Sequence, residues 1–152
     1  MKRMAIVAAA ALLASGAAGA QPPSPQQIFC AELNRVVQVA QMDGDFTYLE
    51  RSRAAPPAFG FRHGCRAHAA TPSLPAAWWC HQSLAPEELS LASLAGRTAA
   101  CLPNAVRSRG PHYDRQAIFT LPRARILIEE SGGPGAHVGL IATFRVEAVR
   151  AP

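Results

Sequence analysis

His137-Val138-Gly139-Leu140-Ile141-Ala142-Thr143-Phe144-Arg145-Val146-Glu147-Ala148 alternates with a period of two. Val138, Leu140, Ala142, Phe144 and Val146 fall on one side, and Gly139, Ile141, Thr143, Arg145 and Glu147 on the other. Successive side chains of a strand point to opposite faces, so the run predicts a β-strand with one face on a core and the other toward water. Ala124, Ile126 and Ile128 alternate similarly within a strand from Ala124 to Glu130, and Ala117 to Leu121 is a third candidate. Between the last two strands lies Ser131-Gly132-Gly133-Pro134-Gly135-Ala136. A phosphate-cradling glycine loop needs a P-loop lysine and a helix after it; with neither present, the segment reads as a hairpin connection.

Working toward the N-terminus, Ser24-Pro25-Gln26-Gln27 carries an N-cap serine, a proline at the first helical position and a capping-box glutamine. A helix is predicted from Pro25 to about Gln41, with Phe29, Leu33, Val36, Val37 and Ala40 as its buried stripe. It ends at Asp43-Gly44-Asp45, read as a turn because the further ligands of a calcium loop are missing. Strands are expected over Phe46 to Arg53, Phe61 to His68 and Ala77 to His81, with breaks at Pro56-Pro57 and at Thr71 to Pro75. A second helix is expected from Pro86, with Glu87 and Glu88 favoured by the dipole of its first turn and Leu91, Leu94, Ala95, Thr98 and Leu102 facing inward. Asn104 to Gln116 reads as a polar, arginine-rich loop.

The order is helix, three strands, helix, three strands. It points to an α+β domain in which two helices pack on one face of a twisted, mainly antiparallel sheet of about five to six strands.

Four cysteines, Cys30, Cys65, Cys80 and Cys101, allow three pairings. If the strands around the Thr71 to Pro75 turn fold on each other, Cys65 stands opposite Cys80 within bridging distance. The preferred framework is therefore Cys65 with Cys80, and Cys30 with Cys101 joining the two helices; Cys30 with Cys65 plus Cys80 with Cys101 is the main alternative.

An oxidising compartment suits that framework, and the N-terminus carries the matching address. Lys2 and Arg3 precede an apolar run from Met4 to Ala14, and small residues at Ala18 and Ala20 mark a cleavage site before Gln21. This is the layout of a bacterial secretory signal peptide. Removing 20 of the 152 residues leaves 132, enough for one domain, residues 21–152. No cysteine follows the cut, so a lipid anchor is not expected, and the product is expected to be periplasmic or secreted rather than an integral membrane protein.

Lys2 and Arg3 leave with that segment, so 15 cations fall to 13 against 10 acids, a balance of +3 that gives nucleic-acid binding little support. Every remaining side-chain cation other than histidine is an arginine. The guanidinium fork binds carboxylates and phosphates, although arginine, alanine, glycine and proline are also enriched together by GC-rich codon usage.

Catalytic motifs are absent: the chain has no Gly-x-Ser-x-Gly elbow, His-Glu-x-x-His helix or Cys-x-x-Cys pair. His63, His68, His81, His112 and His137 lack metal-ligand spacing, and adjacent Glu129 and Glu130 should face opposite sides of their strand. No cofactor and no metal site are expected. Two features suit binding. On a strand, one of Trp78 and Trp79 must face away from the core unless the Pro56 to Phe61 loop covers it, and tryptophan is enriched at interface hot spots. Arg107, Arg109, His112 and Arg115 surround Gly110-Pro111 as a cationic loop. The sequence thus points to an exported, disulfide-stabilised accessory protein that binds a protein or an anionic envelope component, as an inhibitor, an immunity-type protein or an envelope partner. A small cell-envelope hydrolase whose site forms only in the fold, or a carrier of an apolar ligand between sheet and helices, are the alternatives.

Overall fold

The computed structural model describes residues 21–42, 44–47, 49, 59–62, 65–110, 115–132 and 139–149. The expected signal peptide, residues 1–20, lies outside them. Two α-helices, α1 (Pro25–Met42) and α2 (Leu91–Cys101), pack on one face of a six-stranded sheet. Its strands are β1 (Arg66–His68), β2 (Ala77–Gln82), β3 (Val106–Arg109), β4 (Gln116–Leu121), β5 (Ala124–Gly132) and β6 (Leu140–Ala148). They lie in the order β1-β2-β6-β5-β4-β3, and every neighbouring pair is antiparallel.

Helix α1 begins where its capping residues dictate. Gln27 N donates to Ser24 Oγ at 3.2 Å, and Ser24 N donates back to Gln27 Oε1 at 2.7 Å. Reciprocal bonds of this kind satisfy two amides that the first turn leaves unpaired. Its buried residues are Phe29, Leu33, Val36, Val37 and Ala40. Gly44, with φ +68°, closes the helix in the left-handed conformation, its N–H bonding to Val39 O at 2.9 Å. Asp43, the first residue of that turn, lies outside the described residues.

Glu87 and Glu88 do not open the second helix. They form a 3-10 turn, Glu87–Leu89, and α2 starts only after Ser90. Two acceptors hold its first amides: Ser90 Oγ takes Ser93 N at 3.4 Å, and Glu130 Oε2 on β5 takes Leu91 N at 2.7 Å. Because Glu130 supports the cap, Ser90→Ala is expected to cost only about 0.5–1 kcal/mol; combining it with Glu130→Ala should cost more than twice as much, as read by urea denaturation.

Between the layers, Phe29 of α1, Phe144 of β6 and Phe59 interlock, with ring centroids of Phe59 5.0 Å from Phe29 and 5.2 Å from Phe144. Arg97 of α2 lays its guanidinium 4.0 Å above the Phe29 ring. Burial there pulls its pKa down from the usual arginine range, yet an arginine starts so far above neutrality that the charge, and with it the cation–π contact, persists.

The strand expected over Phe46 to Arg53 does not form in the part described. Thr47 and Leu49 are helical, and Leu49 N donates to Phe46 O at 2.9 Å; the remainder of that segment is largely outside the described residues. Phe46 and Leu49 still enter the core on the helix side, where a helical turn buries both and a strand would separate them. The sixth strand is supplied instead by β3, from the segment read as a polar loop. All four of its residues are exposed, so no hydrophobic alternation marks it; its main-chain bonds to β4 make it a strand.

Cys65 bridges Cys80 with Cα atoms 4.2 Å apart, and Cys30 bridges Cys101 at 5.1 Å. Arg66 opposite Trp79 puts Cys65 and Cys80 in register at the end of the β1–β2 ladder. The second bridge joins α1 to the last turn of α2. Gln26 Nε2 closes over it, 3.2 Å from Cys101 Sγ and 3.1 Å from Arg97 O.

Candidate functional site

Among the described residues, helices cover one face of the sheet and leave the other, where Ala77 and Glu147 are nonetheless buried. Trp78, Cys80 and Gln82 of β2, Ala142, Phe144 and Val146 of β6, and Ile126 and Ile128 of β5 point toward the helices and are buried. The alternate residues form the opposite face, which no element covers among the described residues. Phe59 and Phe61 join the helix-side core, so this part of the Pro56 to Phe61 loop does not shield the open face.

The two tryptophans are divided between these faces. Trp78 is 2% exposed and packs 5.3 Å from the Phe59 ring, which removes it from any binding surface. Trp79, half-buried, occupies the opposite face as the second residue of a cross-strand row. Pairing registers place Arg66 of β1 on one side of it and Arg145 of β6 on the other, followed by Leu127 of β5 and Ile118 of β4. Directly opposed residues stand about 5 Å apart at Cα, so the indole is flanked by two arginines. Cation-flanked aromatic surfaces of this kind combine a large apolar contact area with attraction for anions.

His68, His81 and Arg145 around Trp79 are each held by a further contact. The His68 ring lies 5.3 Å from the indole, and its Nε2 is 2.8 Å from Pro75 O. A carbonyl only accepts, so Nε2 carries the proton of this bond. His81 Nδ1 meets Thr143 Oγ1 at 3.1 Å. Arg145 Nε lies 2.8 Å from Glu147 Oε1, while Arg125 Nε donates to Glu147 Oε2 at 2.9 Å. Glu147 is thus nearly buried, 4% exposed, between two guanidiniums. Its charge is consumed within the sheet, and the rim of Trp79 stays cationic. His68, Trp79, His81, Thr143 and Arg145 line a shallow cavity of about 270 Å³.

The expected cationic loop is elsewhere. From β2 to β3 the sheet spans four strand spacings, about 19 Å. Arg107 and Arg109 share the helix-side parity of Phe119 and Ala117, their partners on β4, but lie beyond the cover of α2. Arg107 sits 5.7 Å from the Phe119 ring centroid. Arg115, just before β4, donates from Nη1 to Gly132 O at 2.8 Å. His112 lies outside the described residues, as do His63 and His137. The six residues singled out in the sequence therefore do not form one surface. Arg66 and His68 were passed over although the expected pairing of Cys65 with Cys80 already sets Arg66 opposite Trp79; Arg145 was missed because β2 pairs with a strand some 60 residues away and that register leaves no mark in either segment alone.

Glu129 is exposed on the open face, whereas Glu130 turns inward to cap α2. Among the described residues no helix is long and apolar enough to cross a membrane, and no group of three His, Cys, Asp or Glu side chains could hold a metal ion. In comparison with known proteins, the chain matches no family model, no curated protein and no solved structure.

Proposed function

We propose that this chain is an exported accessory protein that acts by binding, using the open face of its sheet to dock a partner protein or an envelope component bearing anionic groups. The observation that carries the reading is Trp79, half-buried on a face that no element covers among the described residues, between Arg66 and Arg145 and with the His68 ring tilted against it. An antiparallel sheet can leave one face in water, but tryptophan on such a face is the residue most often found at interface hot spots. Two disulfides are the usual equipment of a small periplasmic or secreted domain. This agrees with loss of residues 1–20 as a signal peptide.

The hydrolase alternative has one candidate pair, His81 with Thr143. It has the reach of a base and a hydroxyl nucleophile, but no third group orients the imidazole from its other nitrogen among the described residues. A carrier would need a cavity between helices and sheet; the cavity of about 400 Å³ that touches α1 lies at its C-terminal end, open to solvent and lined by Ala40, Gly44, Ala76 and Ala148, and Phe29, Leu33, Phe59, Leu94 and Phe144 do not line it. The binding reading is therefore preferred.

Photo-crosslinking tests it. With p-benzoylphenylalanine at Trp79, one dominant stoichiometric adduct is expected in the native envelope, absent when the probe is moved to Ile28 on the outside of α1. Identical adducts from both positions, or none from Trp79, would overturn the proposal.

A further inference from the structure

The outer edge of the sheet at β3 has a combination of features that the open face does not share. Nothing pairs with this edge among the described residues. All four of its residues are exposed, Val106 at 69%. Gly110 N donates to Gln116 O, which makes that pair a hydrogen-bonded one. By the alternation of an antiparallel ladder, Ser108 and Val106 then bond inward to β4, and the N–H and C=O groups of Arg107 and Arg109 point away from the sheet. The residues that offer main-chain bonds to a newcomer are thus the same two that carry the charges.

Among the described residues no carboxylate pairs with those charges, Arg107 facing the Phe119 ring. Neither Arg107 nor Arg109 has an ion pair or a side-chain hydrogen bond among the described residues. Beside them a groove of about 770 Å³ runs between β3 and the start of α2, lined by small Ala92 and Ala117 and by Glu130, whose carboxylate is taken up by Leu91 N–H. Bare sheet edges invite pairing with another chain, and arginines on an edge normally deter it. Here the deterrent is selective. A second copy pairing antiparallel through β3 would bring Arg107 and Arg109 of both copies together on one face, a like-charge contact that disfavours self-association. An incoming strand with carboxylates at alternate positions would place them against the same two guanidiniums.

We propose that the β3 edge takes up an extended acidic segment of a partner protein as a seventh strand, with carboxylates two residues apart seated on Arg107 and Arg109. Main-chain bonds supply affinity in this mode of recognition, and alternating side chains supply selectivity. The site is independent of Trp79, so each can fail alone.

The probe is a blocked octapeptide alternating glutamate and threonine, added to the disulfide-bonded protein and followed by amide hydrogen exchange. The backbone amides of Arg107 and Arg109 are expected to gain protection while that of Ser108, already bonded to β4, stays unchanged. A peptide alternating lysine and threonine should bind at least about tenfold more weakly. In the Arg107→Glu/Arg109→Glu variant that preference should invert, a swap that a misfolded protein would not give. Equal binding of the acidic peptide to the variant, protection without alternation, or protection confined to the Trp79 face would each overturn the proposal.

Discussion

Phe59→Ala is expected to destabilise the protein by about 3–5 kcal/mol, although the residue sits in a 3-10 turn outside the two α-helices and the six strands. Its ring is 0% exposed and stands within 5.3 Å of three others, Phe29, Phe144 and Trp78. These come from α1, β6 and β2, so one loop side chain joins a helix to two strands. Truncation removes the buried surface and also the edge-to-face contacts, and α1 and the sheet are too well tied elsewhere to collapse into the space. Against a total of about 5–15 kcal/mol for a small domain, that loss is a third or more. Urea denaturation would show it as a lower midpoint at unchanged slope. A cost below about 1 kcal/mol would mean that Phe59 is peripheral. Ile28→Ala, at an exposed position on α1, is the control and should fall within about 0.5 kcal/mol.

Phe59 also illustrates where sequence reading succeeds and where it stops. Periodicity exposes a residue's environment when its neighbours share a regular backbone, so the stripe from Phe29 to Ala40 and the alternation from Leu140 to Ala148 were both legible. A phenylalanine flanked by prolines and glycine has no period to declare which layer it enters. Strand β3 failed for the opposite reason: an edge with every side chain in water carries no apolar signal, and only the β4 ladder reveals it. At the candidate site, the parity of Trp78 and Trp79 required one to face outward, but not which one. Of its arginine neighbours, Arg66 follows from the register that opposes Cys65 to Cys80, whereas Arg145 depends on long-range register, which individual segments do not encode.

Removing the two disulfides is expected to give unequal losses. The Cys30–Cys101 bridge closes a separation of 71 residues and Cys65–Cys80 one of 15; chain-entropy estimates for loops of these sizes are about 4 and about 3 kcal/mol. Structure widens the gap. The long bridge fastens α1 to α2, and both helices are needed to cover Phe144, Ile126 and Ile128, so Cys30→Ser/Cys101→Ser acts on the whole core. The short bridge fastens β1, a three-residue strand at the sheet edge, whose release leaves the other five strands paired. Cys65→Ser/Cys80→Ser should therefore fray β1 locally, with rapid amide exchange over Arg66 to His68 and loss of the His68–Trp79 ring contact, while the core unfolds cooperatively at a moderately lower temperature. For the long bridge a fall of roughly 10–15 °C is expected. Full reduction should remove about 7 kcal/mol, comparable with the entire stability of a domain this size, and leave much of the protein unfolded at 37 °C. Calorimetry on the two double variants and on the reduced protein checks the order; a larger loss from the short bridge would show that β1, not the helix pair, anchors the fold.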